Sequence, residues 1–429
     1  MEQLDAKLPV RDIYARKILD CRGNPTVEAE VLAGENIVGR ASAPSGLICG
    51  DDTGSDVGKY CPDKISEMAD RMVENINTCI AQELIGKNVF DQEEIDRTMS
   101  RLDGTENMSV MGAGAVLCVS AAAANAAAAA LGQPLYRYLG GVQAKRIPVP
   151  AVPVICGRTS ESGMDFQELL IVPSSSDTLW RQIEICGEIS LMLGKVTAVR
   201  DIPAVGTDGR GYVLAVPDIK ENMRLLRAAA EQAGYRWAKD ITVAVNAAAE
   251  TLYDRQRKTY YFFSESEKKG REICRNTQEM IDYYEELISE FPVSSIEDPL
   301  DREDWDGWAK LTEQLGERIQ IVGNRIFRGD IKNLERGIRT GAANAVYIRA
   351  GQQGTLTGLS DLLKTAREAG YSVIAGHNCG ETADTAAADL AVAFGAAQIR
   401  FGAPLCMENA EKYNRLLRIA ERVGKSGDR

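Results

Sequence analysis

The sequence predicts an α/β protein whose larger part is a closed (β/α)8 barrel, preceded by a smaller domain in which strands are followed by helices. Three observations lead there. Residues 10–45 carry alternating or β-branched runs, whereas residues 64–140 carry helical periodicity. From residue 147 onward, short apolar runs alternate with helical segments to the end of the chain. Several of those apolar runs end in a polar or charged residue. An open doubly wound sheet is the competing architecture, but it calls for a GxGxxG turn after its first strand, and none stands in that context.

In the first part, VRDIYARKILD and TVEAEVLAG read as strands broken at Arg22, Gly23, Asn24 and Pro25. KISEMADRMVENINTCIAQELIG, DQEEIDRTMSRLDG and an alanine-rich stretch then read as helices. The stretch from Ala115 to Leu131 is apolar enough to suggest a membrane span. It is mostly alanine, is interrupted by Ser120 and Asn125 and stops at Gly132, so a packed interior helix is predicted instead. In the second part the strand candidates are VPAVPVI (148–155), ELLIVP (168–173), ITVAVN (241–246), VSSIE (293–297), IQIVGN (319–324), AVYIR (345–349), YSVIAGH (371–377) and AQIR (397–400). Helical segments such as TQEMIDYYEELISEF and LSDLLKTAREAGY separate most of them.

Composition narrows the functional classes. The 429 residues hold 50 Lys and Arg against 62 Asp and Glu, a net charge of −12, which argues against binding the phosphate backbone of nucleic acid. The basic stretch KKGREICR (268–275) reads as solvated surface. Ten cysteines without a CxxC pair suit reduced thiols in a cytoplasmic protein. The first residues lack a secretory layout, and no membrane association is expected. With one histidine, His377, a site built on several histidines is excluded.

In a barrel, strand C-termini converge on one mouth, where sites on this fold are built. Asn246, Glu297, Asn324, Arg349, His377 and Arg400 each end an apolar run, and six such residues in register predict a shared pocket.

ARKILDCRGNPTVEAEV, GRASAPSG, LYRYLGG, DFQELLIVP, SIEDPLD, DWDGWAKLTEQLG, GTLTGLSDLLKTAREAGY, GETADT and EKYNRLLRI resemble enolase, from about residue 10 to residue 425. The resemblance implies an enolase-like barrel (141–429) with an antiparallel second strand, behind an N-terminal α+β capping domain (1–140). It also implies a homodimer. The reaction it implies is dehydration of 2-phosphoglycerate to phosphoenolpyruvate with two magnesium ions. Arg16 and Glu28 match family interface positions, as do Glu408 and Arg418 near the other end.

At the functional positions the resemblance breaks. The family's base is a lysine; Arg349 stands there, and a guanidinium does not deprotonate near neutral pH. A second active-site lysine falls on Arg400. The magnesium carboxylates fall on Asn246, Glu297 and Asn324, so two of three are neutral amides, and the serine that assists a second ion falls on Ile48. The general acid falls nearest Asp208, and the substrate-loop histidine is absent from CGRTSES (156–162). The phosphate-holding stretch reads His377, Asn378, Cys379, Gly380 and Glu381, without its arginine. Glu168, Glu297 and His377 are retained, with Gln167 alongside.

Three functional readings follow. A working enolase rests on global similarity alone. An enzyme of altered chemistry would draw on Glu168, Asp208 and Glu297 as acid–base groups, or on Cys379 beside His377. The reading favoured by the substitutions is a paralogue that has lost turnover and magnesium and binds a ligand or partner, with a small anionic ligand at the mouth. Guanidinium then replaces metal charge, and Glu297 is expected to pair with Arg349 or Arg325.

Overall fold

The computed structural model describes residues 7–47, 62–157, 163–176, 178–207, 209 and 211–424. By internal contacts the chain forms two compact units. One comprises residues 1–146, 348–365 and 375–396; the other comprises residues 147–347, 366–374 and 397–429.

The first unit is built on an antiparallel sheet of β1 (Val10–Leu19), β2 (Pro25–Ala33) and β3 (Ile37–Ser42). Along β2 the apolar residues alternate inward, with Val27, Ala29, Val31 and Ala33 fully buried, the period-2 pattern of a sheet with one covered face. That face is covered by the helix Ala113–Ala130. The helix is long and apolar enough to cross a membrane, yet most of it lies inside the unit, as its alanine content predicts. Gly39 on β3 explains the closeness of the packing, because a Cβ there would collide with the helix main chain at Ala122 and Ala126.

The second unit is organised by a larger sheet. Its strands are β4 (Val149–Pro150), β5 (Val152–Cys156), β6 (Glu168–Pro173), β7 (Ala204–Thr207), β8 (Gly211–Leu214) and β9 (Ile241–Asn246). A separate small sheet follows, formed by β10 (Tyr253–Asp254), β11 (Thr259–Tyr261) and β12 (Cys274–Arg275). The large sheet resumes with β13 (Val293–Glu297), β14 (Gln320–Gly323), β15 (Ala345–Arg349), β16 (Ser372–Gly376) and β17 (Gln398–Arg400), the last two residues of β15 and of β16 being counted with the first unit.

β4 and β5 are one strand interrupted at Ala151. β4 pairs with β17, and β5 pairs with β6. The order β4/β5, β6, β9, β13, β14, β15, β16, β17 therefore closes on itself as eight strands. β6 runs antiparallel to both neighbours, the second-strand reversal that the resemblance implied. β5, β6 and β15 are buried along their whole length, as strands covered on both faces must be. The hairpin β7–β8 and the β10–β12 sheet add to the elements expected from the sequence.

Five helices of this unit start where the sequence supplies a side-chain acceptor. Thr178, Asp218, Asn276, Asp304 and Asp330 each accept a hydrogen bond from a main-chain N–H of the first turn. At Asn276 the bond is returned by Glu279, a reciprocal cap.

Candidate functional site

Register decides which strand ends share a row. Glu168 on β6 lies opposite Asn246 on β9, and Asn246 lies opposite Glu297 on β13. Asn324 follows β14 by one residue. Carboxylate and amide thus alternate across four adjacent strands, and all four residues are buried.

Arg400, at the end of β17, completes the cluster. Its Nη1 donates to Glu297 Oε2 at 2.6 Å and its Nη2 to Glu297 Oε1 at 3.1 Å, a two-pronged pair. Nη1 also lies 3.8 Å from Glu168 Oε2, and the guanidinium sits 4.1 Å from the centroid of the Tyr347 ring. Burial works against the Arg400 charge, but Glu297, Tyr347 and Glu168 outweigh it and hold the group charged well above its ordinary range.

The amides are oriented by these carboxylates. Asn324 Nδ2 donates to Glu297 Oε1 at 3.0 Å, and Asn246 Nδ2 lies 3.4 Å from Glu168 Oε2. A carboxylate only accepts, so each NH₂ faces its carboxylate and each Oδ1 faces away. Both Oδ1 atoms are buried without a hydrogen-bond partner.

Behind the row, Asp298 holds a left-handed backbone at φ 47°. Its Oδ1 accepts the main-chain N–H of Asn324 at 3.0 Å and of Arg325 at 2.9 Å, which fixes the turn after β14 and with it the Asn324 side chain. Burial, reinforced by the neighbouring Glu297 charge and opposed by Arg325, pushes the Asp298 carboxyl up to about 7.

Two family models match the chain: enolase, N-terminal domain, over residues 10–139, and enolase, C-terminal TIM barrel domain, over residues 144–428. The chain belongs to the enolase family. In this enolase-family protein, five residues singled out in the sequence (Glu168, Asn246, Glu297, Asn324 and Arg400) meet in one cluster, with Gln167 tied to it through its N–H to Asn246 O at 3.0 Å.

One expectation is corrected. Glu297 accepts from the guanidinium of Arg400, which had not been expected as its partner, whereas Arg325 lies 3.7 Å from Asp298. In the barrel order β13 and β17 are four strands apart in either direction, so Arg400 reaches Glu297 across the mouth. Arg325 points back to the carboxylate that binds its own N–H.

Arg349, His377, Asn378 and Cys379 fall in the first unit of this enolase-family chain. Arg349 N donates to Gln352 Oε1 at 3.1 Å, and Asn378 N donates to Glu381 Oε1 at 2.7 Å. Main-chain bonds from Ser45 N to Gly380 O (2.9 Å) and from Gly46 N to Cys379 O (3.0 Å) tie this stretch to the end of the β3 loop. Ser45 Oγ in turn donates to the buried Asp20. Ile48 and Asp208 lie outside the described residues.

Two contributors escaped the sequence reading. Tyr347 stands two residues before Arg349 on β15, so period-2 alternation places both on one face and was the available signal. Asp298 gave no such signal, because its role depends on a left-handed backbone that only the structure reveals.

The second unit also contains a cavity of about 210 Å³ lined in part by Phe166, Phe262, Arg275 and Tyr283. Arg275 stacks on Phe262 and Tyr283 at 4.0 and 4.3 Å and pairs with Glu265 at 2.8 Å.

Proposed function

We propose that this enolase-family protein does not dehydrate 2-phosphoglycerate and instead binds a small ligand at the barrel mouth without magnesium, in a cytoplasmic setting. The observation that carries the reading is the Arg400–Glu297 pair. Magnesium demands compact octahedral oxygen ligation. Glu297 offers neither oxygen freely, since both accept from Arg400 and one also accepts from Asn324. At Asn246 and Asn324 the NH₂ groups, not oxygens, face the carboxylates. The residues present therefore do not fit the ion that the family uses.

The chemistry points the same way. Proton abstraction next to a carboxylate needs a base that can be neutral at working pH, and position 349, where the resemblance places that base, carries an arginine. Without that base and the metal, the groups of the row act by hydrogen bonding and orientation.

The test is phosphoenolpyruvate formation by the purified full chain given 2-phosphoglycerate and magnesium, with magnesium titrated separately by calorimetry. No turnover and no magnesium heat support the reading. Turnover at the pace of an ordinary enzyme, on the order of one event per second or faster, overturns it.

A homodimer belongs to the same proposal. In the second unit Val199 and Met407 are 86% and 71% exposed, with Val205 and Leu405 also exposed. The hairpin carrying Val205 is tied to the segment carrying Leu405 and Met407 by Ala403 N donating to Gly209 O at 2.6 Å. Apolar residues so exposed on linked elements suit burial against a second copy. Sedimentation showing a monomer at micromolar concentration would count against it.

A further inference from the structure

We infer that the 210 Å³ cavity of the second unit is a binding site for a small organic ammonium, a primary amine on a body the size of one aromatic ring. The inference does not depend on the metal-free reading, because no residue of the Arg400–Glu297 row lines this cavity.

The open space comes first. The cavity lies among Asp165 and Phe166, the start of the helix Ile219–Gln232, the helix Phe263–Lys269 and the helix Thr277–Glu290. A cavity of about 150 Å³ accepts benzene, so this one admits a ring with a short polar arm. Its apolar wall suits such a body. The rings of Phe166, Phe262 and Tyr283 stand edge to face, with centroids 5.8, 6.1 and 5.8 Å apart.

Charge sets the class of the arm. Among the described residues, the cations of the wall are each bound to a carboxylate. Lys220 pairs with Glu286 at 2.6 Å and with Glu290 at 3.0 Å, while Lys269 and Arg275 both pair with Glu265, at 2.5 and 2.8 Å. Two further carboxylates line the cavity and hold main-chain N–H groups. Asp165 accepts from Ser264 N at 2.9 Å and Glu265 N at 3.0 Å. Asp218 accepts from Lys220 N at 2.8 Å and Glu221 N at 3.3 Å, both on Oδ1, so Oδ2 keeps its acceptor capacity.

Four carboxylates thus stand against three cations, and no cation can turn to a ligand without leaving its own partner. An anionic arm would meet that excess, whereas an ammonium that displaces water from a carboxylate exchanges a neutral hydrogen bond for a charge-assisted one. Tyr283 reports the same field. Burial pushes its phenol up, Arg275 opposes this, and Glu265, Asp218 and Asp165 add to it, so these three carboxylates act on one side chain of the wall.

The test is calorimetric titration of the full chain with phenethylamine, 2-phenylethanol and phenylacetate, which are similar in size and differ in charge. Phenethylamine is expected to bind with a dissociation constant near or below about 1 mM, 2-phenylethanol about tenfold more weakly, and phenylacetate more weakly still. Asparagine caps a helix as well as aspartate does, so Asp218→Asn removes charge and keeps the cap. Combined with Asp165→Asn, it should weaken phenethylamine about tenfold and leave 2-phenylethanol unchanged, a split that loss of folding would not give. A phenethylamine soak of wild-type crystals needs no variant, and its nitrogen is expected about 2.7–3.2 Å from an oxygen of Asp165 or Asp218.

Equal affinity for amine and alcohol, tighter binding of phenylacetate, or no binding of any of the three overturns the inference. So does an amine affinity that the two substitutions leave unchanged, or a soaked amine that lies elsewhere. Phosphoenolpyruvate formation with magnesium would overturn the earlier reading and leave this one standing.

Discussion

Arg400 holds Glu297 from the opposite side of the barrel, with two nitrogens on two oxygens at 2.6 and 3.1 Å. The pair joins strands that share no backbone hydrogen bond, and it does so where the family resemblance implies a cation of another kind. Its energetic role is asymmetric. Formation of a buried ion pair gains little on balance, whereas removing one partner strands the other charge.

Arg400→Met should therefore destabilise the second unit by about 3–5 kcal/mol, the usual cost of leaving a buried charge alone. The double variant Arg400→Met with Glu297→Leu should recover most of that loss. Urea unfolding of the two variants checks both statements, and equal losses would mean that the pair contributes little.

Asn246→Asp and Asn324→Asp together with Arg400→Lys would convert the row to carboxylates facing a shorter cation. Magnesium should then raise the thermal midpoint in a concentration-dependent manner, as expected for a ligand that binds only the folded state. The unchanged protein should show no such gain. Scanning calorimetry with and without magnesium measures it.

Gly39→Ala should destabilise the first unit by roughly 1–3 kcal/mol, because the added methyl meets helix backbone, which cannot rotate aside. Gly206, where a Cβ meets nothing, is the control position. Thermal unfolding that treats the two substitutions alike would contradict the close approach of β3 and the helix.

Glu30 provides a pH signature. Hydrogen bonding to Arg16 on β1 holds its carboxyl at about 2, below the ordinary 4.5, with Arg40 assisting. A depressed carboxyl contributes stability that is present above 4.5 and lost as pH falls towards 2. Wild type should exceed Glu30→Gln by about 1–2 kcal/mol at neutral pH, after allowance for screening at a partly exposed site. The difference should shrink over that acidic window, which denaturant titrations at several pH values will show.

Strand positions were legible because a strand buried on both faces must be a continuous apolar run. ELLIVP, ITVAVN, VSSIE and AVYIR coincide with β6, β9, β13 and β15. The hairpin β7–β8 was not, since Ala204, Val205 and Gly206 are all exposed and carry no burial pattern. At the site, strand ends pointed to Asn246, Glu297, Asn324 and Arg400, which meet in one cluster, but not to which of them touch. Arg325 is adjacent to Asn324 in sequence and was one of the two partners expected for Glu297, yet its turn directs it to Asp298. Arg400 lies over one hundred residues away and is brought opposite by closure of the barrel, a relation that linear order does not encode.

The alanine helix of the first unit has a thermodynamic consequence. Of the fourteen buried residues in Ala113–Ala130, eight are alanine. Such a core gains from dense contact between main chains, and it removes little hydrocarbon from water for each residue ordered. The heat capacity of unfolding scales with the apolar surface that becomes hydrated. This packing therefore contributes a small increment, and the stability curve of the unit is flatter in temperature than a leucine-filled core of equal length would give.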